Sequence, residues 1–200
     1  MAGFIELAQI EVPIPRFVTF WRGLYSLDDA KYTRNINAGG EVDTRNVVAL
    51  MQWKAGPRHG ARAERFGRAV PASVLNDSRT LPPLGDQDLY EQYRLISRHL
   101  KSAGLARTNP IIWPIFLCHI AQPSTTPIYD VNAWLAWRHI KGWISPLHYQ
   151  QMPRKFVRYL EYRAWFNGIV STHGIAPREL DQALVTFGRF LRSNWGRPLR

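Results

Sequence analysis

Cysteine is nearly absent, with Cys118 the single thiol in 200 residues. One thiol excludes an internal disulfide, a four-thiolate zinc site and an iron–sulfur cluster held by this chain. Its place inside an apolar run fits a reducing compartment. Long apolar runs are missing too. The strongest, Ile111 to Ala121, is interrupted by Pro114 and His119 and falls short of the roughly 20 residues a spanning helix needs. The start, Met1 to Glu6, lacks the basic region and apolar stretch of a secretory signal. A soluble, cytoplasmic protein with no membrane partner is therefore expected. Nor do His59, His99, His119, His139, His148 and His173 show metal-ligand spacing, so no metal and no other cofactor is expected. Gly39-Gly40 lacks the following lysine of a phosphate-binding loop, and there is no nucleophilic serine elbow.

Acidic residues are outnumbered 15 to 26, which gives a formal net charge of +11. Such a field attracts polyanions: nucleic acid, acidic membrane surface or acidic protein. Of the basic residues only five are lysine and 21 are arginine. That balance favours the planar fork that matches phosphate and stacks on bases over a point charge. The arginines are spread along the chain, so a folded basic surface interleaved with aromatics is expected, with nucleic acid as its partner. Hydrophobic residues make up 46% of the chain and 25 side chains are Phe, Trp or Tyr, enough for a core that folds without help. The length corresponds to a single compact unit.

Apolar spacing predicts an all-α fold. Phe17, Phe20, Trp21 and Leu24 mark one helical face, after which Asp28-Asp29 begin a polar turn. Asp43 or Thr44 caps a helix whose buried face is Val47, Val48, Leu50 and Met51, and Gly56-Pro57 ends it. From 57 to 85 the chain is rich in Gly, Pro and Ala, with Arg58, His59, Arg62, Arg65 and Arg68 set against Glu64. A short helix between loops is expected there, facing solvent or phosphate. Asp86 and Asp88 open an amphipathic helix with Leu89, Tyr93, Ile96 and Leu100 on one stripe and Gly104 as its stop. An apolar helix runs to Ala121, starting at Asn109-Pro110 or at Pro114. Further helices are expected from Val131 to about Trp143, over roughly 154 to 170 and over 177 to 193. Residues 1 to 16 read as an arm packed on the body, and no strand is predicted.

The stretch Pro127-Ile128-Tyr129-Asp130-Val131-Asn132-Ala133-Trp134-Leu135-Ala136-Trp137-Arg138 resembles the signature of helix-hairpin-helix DNA glycosylases. In that superfamily a Pro- and apolar-rich turn delivers an aspartate to the start of a helix, after an apolar helix like the one ending at Ala121. The resemblance implies a two-lobed helical fold with a cleft between lobes. A central lobe, 44–143, would carry the motif, and 1–43 with 144–200 would form a packing lobe. It further implies that Asp130 is the catalytic carboxylate and Asn132 a neighbour of the entering DNA backbone. Breaking an N-glycosidic bond develops positive charge on the deoxyribose. A fixed carboxylate stabilises that state or activates a water to attack it, once the base has left the stack.

The family's Gly-x-Gly hairpin corresponds here to Gly104-Leu105-Ala106-Arg107-Thr108-Asn109, with one glycine, so Arg107, Thr108 and Asn109 are the implied phosphate contacts. Ile111 and Ile112 stand near the position of the lysine that forms a Schiff base in backbone-cleaving members, which implies a monofunctional enzyme. Gln52, Trp53 and Lys54 resemble the residues leading to the wedge that plugs the duplex or lines the base pocket. Arg58, Arg62 and Arg138 complete the expected phosphate contacts, and Trp53 and Trp113 are the aromatic candidates for a flipped base.

The expected function is excision of a damaged or modified base from duplex DNA, in repair or in defence against viruses with hypermodified DNA. The protein would act as a nucleoid-associated monomer. Plainer readings stand beside these. Asp130 after a turn is by default a helix N-cap, a role compatible with catalysis. His119 on an apolar helix reads as a satisfied core histidine, and most tryptophans read as core. The competing functions are a non-catalytic nucleic-acid-binding module and an adaptor for an acidic protein.

Overall fold

A computed structural model describes residues 4–7, 10–27, 29–36, 40–56, 59–105, 111–143, 152 and 155–193. The described elements are ten helices and one short hairpin. The chain divides into two compact units, one built from 1–26 with 127–200 and the other from 27–126. The helical prediction therefore holds for the body of the chain, but the lobe boundaries differ from those expected at 44 and 143. The helix after Asp130 joins the terminal unit because it packs on the last helix of the chain.

The terminal unit begins with strands β1 (Phe4–Leu7) and β2 (Ile10–Pro13), antiparallel, with Ile5 opposite Val12 and Glu6 opposite Glu11. The sequence predicts no strand in this arm. Two strands of four residues each hold only two cycles of a period-two alternation, too few to stand out. Helix α1 (Ile14–Gly23) follows with proline in its first turn, where a missing N–H costs nothing. It buries Phe17 edge-on against Phe187 at 5.3 Å, and Trp21 tilts onto Phe187 and Phe190 of the last helix. After the central unit the chain returns as α8 (Val131–Ile140), α9 (Phe156–His173) and α10 (Pro177–Arg192). An ion pair from Arg22 to Glu179 links α1 to the first turn of α10.

Helices α8 and α10 cross unusually closely, and a glycine makes this possible. A β-carbon on Gly188 would lie 2.7 Å from the Cα of Asn132 and nearer still to its carbonyl. Around that crossing, Tyr129, Trp137, Tyr159, Tyr162 and Phe187 are each almost wholly buried. Each contributes roughly 1.5–3 kcal/mol of burial against the entropy of ordering the chain.

The central unit contains α2 (Asp29–Ile36), α3 (Thr44–Ala55), α4 (Gly60–Ala69), α5 (Ala72–Arg79), α6 (Asp86–Ser102) and α7 (Ile112–Ala121). Helix α3 begins and ends where the sequence predicts. Asp43 and Asn46 form a reciprocal capping box, and Gly56 at φ 75° lies in the region that favours glycine. Helix α4 packs on α3 through Gly67, where a β-carbon would come within 2.9 Å of the Val48 Cα. Helix α7 is buried at every position from Pro114 to Ala121, His119 included, in keeping with its mostly apolar composition. Helix α2 has no counterpart in the sequence prediction. Its polar sequence, DAKYTRNI, buries only Tyr32 and Ile36 and reads locally as a turn.

Two buried polar residues on and after α7 shape this unit. His119 Nδ1 lies 2.6 Å from the Thr126 carbonyl, and its Nε2 lies 2.7 Å from the Tyr32 hydroxyl. A carbonyl only accepts, so Nδ1 donates to Thr126, while Nε2 pairs with the Tyr32 hydroxyl. His119 is the satisfied core histidine its sequence context indicates. Gln122 donates from Nε2 to the carbonyls of Ser78 and Pro82 at 2.9 and 3.1 Å. Its Oε1 accepts from the Leu84 amide at 3.0 Å. One side chain thus holds the Pro-rich loop between α5 and α6.

Candidate functional site

Asp130 is the N-cap of α8. Its Oδ1 accepts from the backbone amides of Asn132 at 2.8 Å and Ala133 at 3.0 Å, satisfying donors that no helix carbonyl reaches. The residue is half-buried, while Pro127, Ile128 and Tyr129 before it are buried. That turn is itself held from α9, since the Tyr159 hydroxyl donates to the Pro127 carbonyl at 3.3 Å and the Tyr162 hydroxyl to the Ile128 carbonyl at 3.4 Å. Burial pushes the Tyr162 phenol well above its ordinary range, with the carboxylates of Asp181 and Asp130 adding to the effect. Burial also raises the Tyr129 phenol, and both hydroxyls therefore stay neutral. The outcome is a carboxylate whose position is fixed by two amides, on a turn locked by two tyrosines, against a helix seated at Gly188.

Asn132 lies beside it. Its side-chain carbonyl accepts from Arg192 Nη1 at 3.2 Å. Arg192 is exposed at the end of α10 and is the functional candidate that reading the sequence missed. Sixty positions separate the pair, and only the α8–α10 crossing brings them together. Arg138, expected to contact phosphate, is 9% exposed. It donates to the Trp143 carbonyl at 2.7 Å and lies over the Trp134 ring at 5.4 Å. In the free protein its guanidinium closes the C-terminal end of α8 rather than facing solvent. Among the tryptophans of this region, Trp134 and Trp137 are core, whereas Trp143 is 41% exposed just beyond the helix.

The other candidates belong to the central unit. Gln52, Trp53 and Lys54 occupy the last turn of α3, all half-buried. Trp53 packs on Tyr32 at 4.9 Å and on Phe116 at 6.2 Å, and Lys54 Nζ lies 5.7 Å from the Phe116 ring. On α4, Arg62 and Arg65 are exposed, while Arg68 pairs with Glu64. Arg62 lies over the Phe66 ring, which in turn stacks on Trp113 at 5.1 Å. Arg62 and Trp113 are thus joined through one phenylalanine, as Trp53 and Lys54 are through another. Arg58, Arg107, Thr108 and Asn109 lie outside the described residues.

Cys118 is buried on α7, and burial pushes its thiol far above the ordinary range, which leaves it no role as a nucleophile. Among the described residues there is no group of three metal-binding side chains and no helix long and apolar enough to cross a membrane. Compared with family models, curated proteins and solved structures, the chain finds no match in any of the three.

Proposed function

We propose that this chain is a monofunctional DNA glycosylase of the helix-hairpin-helix kind, in which Asp130 promotes hydrolytic release of a flipped base and leaves an abasic site. The observation that carries the reading is the fixed position of the Asp130 carboxylate. It stands at a helix start, half-buried, with Oδ1 accepting from two amides. A carboxylate held in this way can offset positive charge on the sugar or polarise an attacking water.

In this reading Asn132 and Arg192 meet the DNA backbone beside the carboxylate. The exposed Arg62 and Arg65 add phosphate contacts on α4, which fix register without reading sequence. Arg58, Arg107, Thr108 and Asn109 retain the phosphate-binding role implied by the resemblance. Gln52, Trp53, Lys54 and Trp113 retain the base-side role implied by the resemblance. The net charge of +11 supports a nucleic-acid partner. Neither mechanism nor motif calls for a cofactor. The lack of a lysine at the hairpin position supports base release without backbone cleavage.

A second reading has its own support. The same two amide bonds make Asp130 an ordinary N-cap, so a module that binds nucleic acid and leaves every base attached accounts for the charge equally well. Incubating the protein with duplexes that carry different damaged or modified bases separates the two. The glycosylase reading expects free base and alkali-sensitive sites from at least one duplex. Salt-sensitive binding with no release from any of them supports the binding module instead.

A further inference from the structure

We infer that the central unit holds a pocket for a small amino-substituted nitrogen heterocycle, as a free base or nucleoside without phosphate. The inference rests on residues that play no part in the reading above. A cavity of about 640 Å³ lies against α5, α6 and the loop that Gln122 holds between them, within the range of small-molecule sites. Leu81, Pro82 and Leu95 give it apolar walls, suited to the faces of a flat ring.

The polar groups specify more. Asp77, Asp88 and Glu91 line the cavity and are exposed, with Arg98 the one cation among the lining residues. Glu91 is partly engaged, accepting from Gln87 at 3.3 Å and lying 3.8 Å from Arg94. In a chain of net charge +11 this is a local reversal of sign. It repels phosphate and favours a ligand that presents N–H donors. Gln92 lines the same cavity, is 7% exposed, and neither its Nε2 nor its Oε1 has a hydrogen-bond partner among the described residues.

A buried amide without partners is a standing cost, and native proteins rarely carry one without a reason. Gln122, which holds the loop over the same cavity, has bonds at both ends of its amide. An amide that can donate and accept side by side matches an amino group next to a ring nitrogen, the pairing a glutamine makes with adenine. The rim carboxylates then accept from a second amino group, where a carbonyl oxygen would be repelled. Because the Gln92 amide is closed to solvent, binding includes a shift of the side chains above it.

The test is calorimetric titration of the full chain with 2,6-diaminopurine, adenine, uracil and adenosine monophosphate, repeated on Gln92→Leu and Asp88→Asn. Leucine is apolar and similar in size, so Gln92→Leu should melt no lower than wild type. The expected result is saturable binding of diaminopurine, adenine next, with uracil and the nucleotide at least tenfold weaker. Gln92→Leu should lose at least tenfold in affinity and Asp88→Asn a smaller factor. No saturable binding of diaminopurine, equal affinity for the nucleotide, or undiminished affinity in both variants would overturn it. None of these results bears on base excision, which is read from DNA.

Discussion

Asp43 and Asp130 do the same local job in different surroundings. Both are N-caps with one carboxylate oxygen on helix amides. Asp43 completes a reciprocal box with Asn46, and its side chain is 49% exposed beside Arg45. The Asn46 amide, with help from Arg45, holds its carboxyl below the usual range. Every feature of Asp43 is explained by starting a helix. At the N3 position after Asp130 stands Ala133, whose side chain cannot complete a reciprocal box. Instead the turn before it is anchored by buried tyrosines, and its helix is pressed against α10 at Gly188. A cap needs none of that support; in the proposed reading it holds the carboxylate at a set distance from a sugar.

The comparison is broken most severely at Gly188. Gly188→Ala places a methyl group into the Asn132 backbone and should cost roughly 3 kcal/mol or more, along with displacement of the Asp130 turn. Gly67→Ala meets Val48 less closely and should cost about 1–2 kcal/mol without affecting any Asp130-dependent activity. Gly168, exposed in α9 with open space where a β-carbon would stand, is the control. Gly168→Ala should stabilise by about 0.5–1 kcal/mol. Urea denaturation of the three variants checks the order. A Gly188→Ala protein as stable as wild type would mean that α8 is not seated as described.

A pH series sharpens the contrast between the two units. His139 is buried against Phe187 in the terminal unit, and burial lowers its pKa from the ordinary 6.5. The unfolded chain therefore binds a proton that the folded chain refuses. The stability linked to this group is fully present above pH 6.5 and is lost as pH falls from there toward the lower folded value. For Asp43 the folded pKa lies below 3.8, so its contribution is present above that pH and is lost only in stronger acid. Thermal melts between pH 7 and 5 should show a decline that His139→Leu flattens and Asp43→Asn leaves unchanged. An identical decline in His139→Leu would remove His139 as its source.

The smallest effect is expected at Arg192. Arg192→Gln should weaken DNA binding by several-fold, reduce the salt dependence of binding by about one counterion, and leave the melting temperature within a degree or two. Binding at two salt concentrations tests this. Unchanged affinity and slope would place Arg192 outside the DNA contact.

Much of the helical plan is legible in the residues themselves. The limits of α3 follow from Asp43 and Gly56, α6 from Asp86 and its apolar stripe, and the start of α8 from the turn ending at Asp130, because caps and periodicity are local signals. Helix α2 and the hairpin escape that kind of reading, since their polar or very short sequences are ordered by what they pack on. The same limit applies to the site. Asp130, Asn132 and the tryptophans of α8 share one motif and are found together. Arg192 is brought to Asn132 by a helix crossing that depends on a single glycine. Arg138 looks like a free cation from its neighbours in sequence, yet its carbonyl partner at Trp143 exists only once α8 has ended. Gln92 reads as a polar position on an amphipathic helix, and its burial is a property of the loop folded over it.

The most direct test of the proposed function is a matched pair, Asp130→Asn and Asp43→Asn, assayed on a duplex from which the wild-type protein releases a base. Asparagine caps a helix about as well as aspartate, so both variants should fold and bind DNA like wild type. The account predicts that Asp43→Asn keeps full release and Asp130→Asn falls by on the order of 10²-fold or more. Full release by a folded Asp130→Asn protein would contradict it.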